Sequence, residues 1–367
     1  MLCPSPLPHR RAGLRAVAAA LVLVISAACS GDGVGPTAEV ALPVDSTLTA
    51  PSDTALTAPT DSTPVVPTDS IVPPLGDTTV TADTTVISEA TAALDTRSRL
   101  PGIVVASDNM PVSYFNSVHN GAKYGGAISP SNVLSVLSAA RAKGGRLFLK
   151  LHMGRDSYVK NADGTFSLSK WKALVDRFRN INIGPYISDG TIVAHFLIDE
   201  PHRAAKWGGK VIPQSTVEAM AQYSKQIWPT WTTVTHTQTA WLASSSITYR
   251  YLDASWNHYA ASKGNVTTWS ANEVASAKAK HLGLVLGLNV LDGGNGSSKI
   301  AGWSTGKWAM SASELRTYGT AVLNQSYACA FFMWAHNTTY YGRSDIKSAM
   351  TEISGKADTH AKTSCQQ

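Results

Sequence analysis

The sequence is poor in charged residues and cysteines, and it lacks several familiar motifs. Only 15% of its 367 residues are Asp, Glu, Lys or Arg, and only four are cysteines. No Cys-x-x-Cys occurs, which excludes a zinc ribbon or a thioredoxin-type redox site. No phosphate-binding loop and no His-Glu-x-x-His occur either, so the sequence offers no signature of a nucleotide-binding enzyme or a zincin. We expect no cofactor.

Residues 1–28 are predicted to be a signal peptide. Arg10, Arg11 and Arg15 precede an apolar run over 16–28, which Ser26 alone interrupts. This run is too short for a membrane crossing of about 20 residues. Residues 24–29, Val-Ile-Ser-Ala-Ala-Cys, resemble a bacterial lipobox, which implies lipidation of Cys29. Serine stands where that pattern usually has leucine, and the same residues also suit ordinary signal peptidase. We expect an exported protein, lipid-anchored to the cell envelope (outer membrane or cell surface) or otherwise secreted.

Residues 29–98 are predicted to be a disordered Thr/Pro/Asp-rich tether. Within 30–96 there is no Lys, no Arg and no aromatic residue. Five aspartates recur every eight residues, each followed by Ser or Thr: Asp45, Asp53, Asp61, Asp69 and Asp77. A segment without aromatic side chains and with such regular acidic spacing cannot bury a core.

The part of the chain after the tether is basic. From Arg97 onward it holds 28 of the 31 lysines and arginines but only 15 of the 25 acidic residues. These cations are scattered and form no basic stripe, so we expect no nucleic-acid partner. Their excess is compatible with an anionic carbohydrate. We expect a monomer.

Two cysteines remain once the leader is set aside. Cys3 and Cys29 belong to the N-terminal segment, which leaves Cys329 and Cys365 in the predicted domain. In an exported protein such a pair permits one disulfide, although spacing alone does not fix the pairing.

Residues 99–367 alternate strand-like and helical segments. The seven predicted strands cover 103–106, 146–152, 191–199, 232–236, 251–256, 282–290 and 328–334, most of them separated by a helical pattern of ten or more residues. Alternation of this kind, over about 265 residues, predicts an α/β fold, a (β/α)₈ TIM-type barrel. The eighth strand is expected within 109–129 or 240–249. The alternative, a doubly wound open sheet, lacks the glycine-rich turn after its first strand.

The segment 191–202 carries the functional signal. Its apolar strand ends in Asp199-Glu200-Pro201, as a buried parallel strand does when it emerges at a reaction centre. This strand end resembles the one that carries the acid/base carboxylate in many (β/α)-barrel glycoside hydrolases. The resemblance implies glycosidic bond hydrolysis with Glu200 as the proton donor. Asp199 either tunes Glu200 as a neighbouring like charge or has a structural role.

The second carboxylate that glycoside hydrolysis requires is left open between two residues. Asp292 lies in a glycine-rich loop after a predicted strand, and Asp253 lies within another strand-like run. We expect the carbohydrate to meet further side chains at the carboxyl ends of the strands, namely Asp108, Lys150, His152, His236, Trp256, Asn257, His258, Asn289, Trp334 and His336.

Two other functions remain open at this point. The last predicted strand, 328–334, and the two residues after it contain no carboxylate. This absence favours a catalytically silent barrel that only binds glycans. Four of the expected mouth residues are histidines (His152, His236, His258 and His336), and convergent imidazoles would suit a metal-dependent barrel hydrolase. The His-x-His usual on the first strand of such enzymes is missing, so we expect no metal site.

Overall fold

The computed structural model describes residues 102–126, 128–152 and 154–366. They form a closed barrel of eight strands in sequence order, each parallel to its neighbours. The strands are β1 Val104–Asp108, β2 Gly121–Tyr124, β3 Arg146–Leu149, β4 Ile192–Asp199, β5 Thr233–His236, β6 Ala254–Tyr259, β7 Gly283–Asn289 and β8 Ala328–Trp334. The predicted (β/α)₈ barrel is confirmed. The expected signal peptide, the lipidation at Cys29 and the tether lie outside the described residues.

Helices connect the strands and surround the barrel. They are α1 Val133–Ala142, α2 Leu168–Asp176, α3 Gly184–Ser188, α4 Gln214–Ile227, α5 Thr239–Ala243, α6 Val266–Lys278, α7 Ala312–Leu323, α8 Thr338–Gly342 and α9 Ser344–Asp358. Short 3₁₀ turns cover Val112–Tyr114, Asp156–Val159, Ala204–Lys206 and Ala261–Lys263. Within the described residues, no helix has the length and apolar character needed to cross a membrane.

Helix α4 shows how sequence pattern becomes packing. Its buried residues are Val217, Met220, Ala221 and Ser224, which follow the i, i+3, i+4, i+7 spacing of one helix face. That face packs against β4 and β5, so the helix is held to the barrel wall by burial of its apolar stripe.

The eighth strand is β2, in the first of its two expected locations. It has only four residues and pairs with β1 through Ala106↔Gly121 and with β3 through Gly121↔Arg146. A Cβ at Gly121 would lie 2.4 Å from Val104 Cγ2, so only glycine lets these strands approach so closely. The inward-facing residue of β2 is Lys123. Because this position is charged, the strand does not show the apolar run by which the other strands are recognised in the sequence.

The inside of the barrel is filled by alternate residues of each strand. The largest of these side chains are Phe148, Phe196, Trp256 and Phe332, all at most 2% exposed. Trp256 packs against Phe332 with ring centroids 4.3 Å apart and against Phe196 at 5.7 Å. The barrel is therefore a packed core whose polar chemistry is confined to its ends.

A disulfide joins Cys329 to Cys365, with their Cα atoms 5.2 Å apart. Cys329 lies at the start of β8, so the bond attaches the C-terminal segment to the amino end of the barrel. A Cβ on Gly283 would lie only 2.5 Å from Cys365 O, so the C-terminal segment passes directly over the start of β7.

Candidate active site

The carboxyl ends of the strands surround a cavity of about 320 Å³. It is lined by Asp108, Asp199, Glu200, Arg203, His236, His258, Asn289, Asp292, Ser304 and Trp334. Eight of these ten residues are among those expected at the mouth from sequence. Arg203 and Ser304 are the additions, and both come from loops. The peptide bond after Trp334 is cis.

Asp199, the last residue of β4, is held by two partners, the imidazole of His236 and the ammonium of Lys206. Its Oδ1 is 2.6 Å from His236 Nδ1 at the end of β5, and its Oδ2 accepts from Lys206 Nζ. Burial would raise the pKa of Asp199, but His236, Lys123 and Lys206 outweigh it and hold the pKa well below its usual range. Asp199 is therefore an anion whose charge is compensated by its partners, so it is poorly placed to act on Glu200 as an isolated like charge.

Glu200 follows Asp199 in a left-handed conformation, with φ of 50°. For a residue with a Cβ this backbone costs on the order of 1 kcal/mol, so neighbouring contacts must hold it. Glu200 N donates to His236 O at 2.8 Å, and Glu200 O accepts from Trp207 Nε1 at 3.0 Å. These two bonds fix the turn that directs the side chain towards the cavity.

The Glu200 carboxylate is partly exposed and contacts cations through one oxygen. Oε2 accepts from Arg203 Nη1 at 2.7 Å and lies 3.7 Å from Lys206 Nζ. Among the described residues, no hydrogen bond reaches Oε1. One oxygen thus anchors the group while the other remains available to a ligand.

Asp292 reaches the same cavity from the loop after β7. Its Oδ1 accepts from Ser304 N at 2.9 Å and its Oδ2 from Ser304 Oγ at 2.6 Å, while its own N donates to Asn289 Oδ1 at 2.9 Å. Strands β4 and β7 are three positions apart in a ring of eight. Glu200 and Asp292 therefore enter the cavity from nearly opposite sides of the mouth.

Asp108, at the end of β1, forms a buried pair with Lys123. Asp108 Oδ2 is 3.1 Å from Lys123 Nζ, whereas Oδ1 is buried without a hydrogen-bond partner in the described structure. Burial alone would lower the pKa of Lys123, but the attraction of Asp108 and Asp199 raises it above its usual value. Lys123 is thus a permanent cation just below the mouth, where it also lies 4.6 Å from the ring of Phe196.

A chain of charged groups runs behind the cavity from β3 to β5. Lys150 Nζ contacts Asp156 Oδ1 at 3.0 Å, and Asp156 Oδ2 contacts Lys206 Nζ at 3.0 Å. Lys206 continues the chain to Asp199, which bonds His236. Burial lowers the pKa of Lys150 despite its contact with Asp156. Lys150 therefore belongs to the support of the site rather than to the lining of the cavity.

Two of the expected histidines, the buried His152 and the half-buried His258, are uncharged at neutral pH. Burial, with smaller contributions from neighbouring positive groups, lowers the pKa of both His152 and His258 well below its usual range. His258 lines the cavity, with its ring 4.7 Å from that of His236 and Nδ1 without a partner. His152 is fully buried outside the cavity lining, and neither ring nitrogen makes a hydrogen bond among the described residues, although Nε2 lies 4.0 Å from Asp156 Oδ1.

Asp253 is not brought to the site. It precedes β6 and so lies at the amino end of the barrel, opposite the cavity. There its Oδ2 is 2.7 Å from Lys225 Nζ and accepts from Thr233 N, also at 2.7 Å. The strand begins at Ala254, three residues later than the strand-like run in the sequence, so Asp253 precedes the strand instead of lying within it.

Three other expected contacts also lie away from the cavity. Trp256 is 1% exposed and belongs to the core below it. Asn257 alternates to the outside of β6, where it accepts from Lys263 Nζ at 3.1 Å. His336 lines a separate cavity of about 470 Å³, and its ring stacks on Tyr341 at 5.6 Å.

The four histidines therefore do not converge on one point. His336 borders the other cavity, and His152 is fully enclosed. Within the residues described above, no group of three or more His, Cys, Asp or Glu side chains is arranged to hold a metal ion.

Residues 302–306, Gly-Trp-Ser-Thr-Gly, match the Gly-x-Ser-x-Gly motif of the serine-hydrolase nucleophile elbow but not its structural context. Such an elbow places its serine in a sharp turn that joins a strand directly to a helix, next to a histidine. Ser304 instead lies in the middle of the long loop between Asn289, the last residue of β7, and Ala312, the first residue of α7, and its hydroxyl donates to Asp292. It positions a carboxylate instead of acting as a nucleophile.

A scan against protein families and a search of curated proteins found no match. Similar solved structures include a GH2 β-galacturonidase from Eisenbergiella tayi (9% identity, TM-score 0.47, 71% of this chain and 52% of that one). Others are a β-D-glucuronidase from Dictyoglomus thermophilum (8%, 0.45, 73% and 52%) and an intracellular xylanase from Thermoanaerobacterium saccharolyticum (11%, 0.44, 64% and 86%). The chain spans about half the length of the first two. At these identities and TM-scores the likeness concerns the barrel fold, and we draw nothing about activity from it.

Proposed function

We propose that this protein hydrolyses glycosidic bonds, with Glu200 as proton donor and Asp292 as the opposing carboxylate. One observation carries the proposal: two carboxylates from β4 and the β7 loop enter a single cavity of about 320 Å³ from nearly opposite sides. Hydrolysis of a glycosidic bond requires such a pair, one on each side of the scissile bond.

The reaction follows from these two positions. Glu200 gives a proton to the leaving oxygen as the bond to the anomeric carbon breaks. Asp292 either attacks that carbon, forming an ester that water then hydrolyses, or takes a proton from the attacking water. A carboxyl separation of about 5–5.5 Å would give retention of configuration, and one of about 6.5–9.5 Å would give inversion.

The remaining lining residues suit a sugar. Neutral His258 and the Asn289 amide can exchange hydrogen bonds with hydroxyl groups, and the half-buried indole of Trp334 offers a flat apolar face. Asp199 is locked by His236 and Lys206, and it fixes the strand end from which Glu200 projects.

The test is hydrolysis of neutral and acidic polysaccharides by the wild-type protein and by Glu200→Gln. The control is Glu352→Gln, which removes a carboxylate from an exposed pair with Arg316 on the outer helices. We expect Glu200→Gln to abolish turnover and retain glycan affinity, Glu352→Gln to behave as wild type, and a chelator to have no effect. Unchanged turnover in Glu200→Gln would refute the acid role.

A silent glycan-binding barrel is the second candidate, and one observation favours it. Both oxygens of Asp292 already accept bonds from Ser304, and β8 ends at Trp334 without adding a carboxylate to the mouth. Binding of a glycan without its cleavage, across the same panel, would establish this alternative.

We also propose that the protein acts in the cell envelope, anchored through a lipid on Cys29. The disulfide between Cys329 and Cys365 supports an oxidising compartment. Labelling with a fatty-acid analogue in the bacterial host should modify the wild-type chain and spare Cys29→Ser. Equal labelling of both would exclude Cys29 as the attachment point.

A further inference from the structure

Two tryptophans on one loop are exposed, which sets them apart from the other eight. Trp303 is 68% exposed and Trp308 is 39% exposed, and both lie between β7 and α7. Elsewhere the indoles are buried or partly buried in the barrel and its helices. Apolar surface left in water gains nothing from folding, so the exposed faces of these two rings are available to a ligand.

The loop is nevertheless a folded structure. Gly302 N donates to Lys307 O at 2.8 Å, and Ala309 N donates to Ile300 O at 3.0 Å. A Cβ on Gly302 would lie 2.7 Å from Asp292 Oδ1, so the backbone beside Trp303 is pressed against the candidate carboxylate. The exposed rings are thus presented from a fixed position next to the site.

A second cavity continues the site along this loop. It measures about 360 Å³ and is lined by residues that include Gly294, Lys307 and Trp308. Asp292 lines this cavity as well as the first, so the two meet at the candidate carboxylate. On the other side of Asp292, Trp303 contacts Trp334 of the first cavity, with ring centroids 6.3 Å apart.

We infer that the two cavities form one groove that binds an oligosaccharide across Asp292, with Trp303 and Trp308 stacking on sugar rings beyond the reacting unit. The inference rests on the proposed function and adds to it the class of substrate, a chain of sugars rather than a single-sugar glycoside. Indole faces match the apolar C–H faces of pyranose rings, whatever the sequence of hydroxyl groups at their edges.

The experiment uses oligosaccharide ladders from disaccharide to hexasaccharide, built from glucose, xylose, N-acetylglucosamine or, as the acidic member, glucuronic acid in β-1,4 linkage. Their binding to the Glu200→Gln protein is measured by calorimetry, and their cleavage is measured with the wild type. We expect affinity to rise with chain length. Trp303→Ala should lower the affinity for the longest chains about tenfold and leave the disaccharide unaffected.

Two further variants serve as controls. Trp303→Phe keeps a flat apolar ring and should retain most of the length dependence. Tyr114→Ala removes a similarly exposed ring beside the separate cavity near His336, and it should change nothing.

The outcomes separate this inference from the proposed function. Cleavage with no length dependence, or with no effect of Trp303→Ala, overturns the groove and leaves the hydrolase. Length-dependent binding that needs Trp303 but is never followed by cleavage supports the groove and overturns the hydrolase. Absence of both binding and cleavage in every ladder overturns the two together.

Discussion

The two ends of the barrel differ in how their buried carboxylates are paired. At the amino end, Asp253 Oδ2 lies 2.7 Å from Lys225 Nζ and accepts from Thr233 N, also at 2.7 Å. At the carboxyl end, Asp108 Oδ1 and the neighbouring His258 Nδ1 are buried and have no hydrogen-bond partner among the described residues. A buried polar atom without a hydrogen bond costs about 1–3 kcal/mol, so these two atoms beside the cavity form an unfavourable arrangement that a ligand could relieve.

Cavity size does not single out the candidate site. The cavity near His336, about 470 Å³, and the cavity at the amino end, about 410 Å³, are both larger than the candidate site, about 320 Å³. The amino-end cavity differs from the candidate site in its lining. Its lining includes Cys329 and Cys365, whose disulfide holds the C-terminal segment there. Asp189 is its one lining carboxylate, and Arg141 pairs with it at 2.5 Å. The pair of opposed carboxylates, and not volume, sets the candidate site apart from this cavity.

Among the changes that compare the two ends of the barrel, loss of the second carboxylate should have the largest effect. We expect Asp292→Asn to reduce glycan turnover by at least about 100-fold, because no other group in the loop can attack carbon or activate water. Added azide, a small anion, should restore part of the activity by replacing the missing carboxylate. Asp345→Asn, which alters an exposed pair with Arg343, is the matched control. Full activity in Asp292→Asn would remove this residue from the mechanism.

Opening the disulfide tests the amino end without touching the site. The paired cysteines are 36 residues apart, so replacing both by serine should lower the free energy of unfolding by about 4 kcal/mol. Turnover by the folded protein at 25 °C should stay the same. Chemical denaturation measures the change, and reduction of the wild-type disulfide should reproduce it. Equal stability of the variant and the wild type would show that the bond adds nothing to the barrel.

The buried pair at the amino end should behave as structure alone. Asp253→Asn leaves Lys225, whose side chain is 12% exposed, without its counter-ion, and we expect about 3 kcal/mol of destabilisation. Adding Lys225→Met should recover part of that loss, because it removes the unpaired charge. The turnover of the folded fraction should match wild type in both variants. A large loss of turnover at unchanged stability would return Asp253 to the candidate site.

The fold could be predicted because apolar strand-like runs alternate regularly with helical patterns along the sequence. Strands β4, β7 and β8 are almost wholly apolar, and helical patterns precede or follow them. Strand β2 could be placed only as one of two options, since it is four residues long and carries a lysine on its inner face. That lysine is stable there only because Asp108, 15 residues earlier, becomes its partner once the barrel closes.

The site was less accessible from sequence for two physical reasons. First, the alternation of side chains along a strand and the exact strand ends decide where a side chain points: Asn257 lies within β6 and faces outwards, and Asp253 precedes that strand. Second, the supporting cations are defined by pairs distant in sequence: Lys206 meets Asp156 fifty residues away, and no local pattern marks either residue. The Asp-Glu-Pro strand end was informative because its two carboxylates follow directly on a buried strand.

The smallest expected effect is on the pH dependence of stability, and it comes from a histidine on the outer face of the barrel wall. His195 on β4 stacks between Trp171 and Trp231, at centroid distances of 5.7 and 4.7 Å, and burial lowers its pKa to about 3. An unfolded histidine titrates near pH 6.5, so below that pH the unfolded chain binds a proton that the folded chain refuses. The stability contribution is complete above pH 6.5 and is lost progressively as the pH falls towards 3. Between pH 6.5 and 5 the loss should be about 2 kcal/mol, measured by denaturation, and His195→Gln should flatten the slope by that amount. An unchanged slope in the variant would mean that other groups carry the acid sensitivity of the wall.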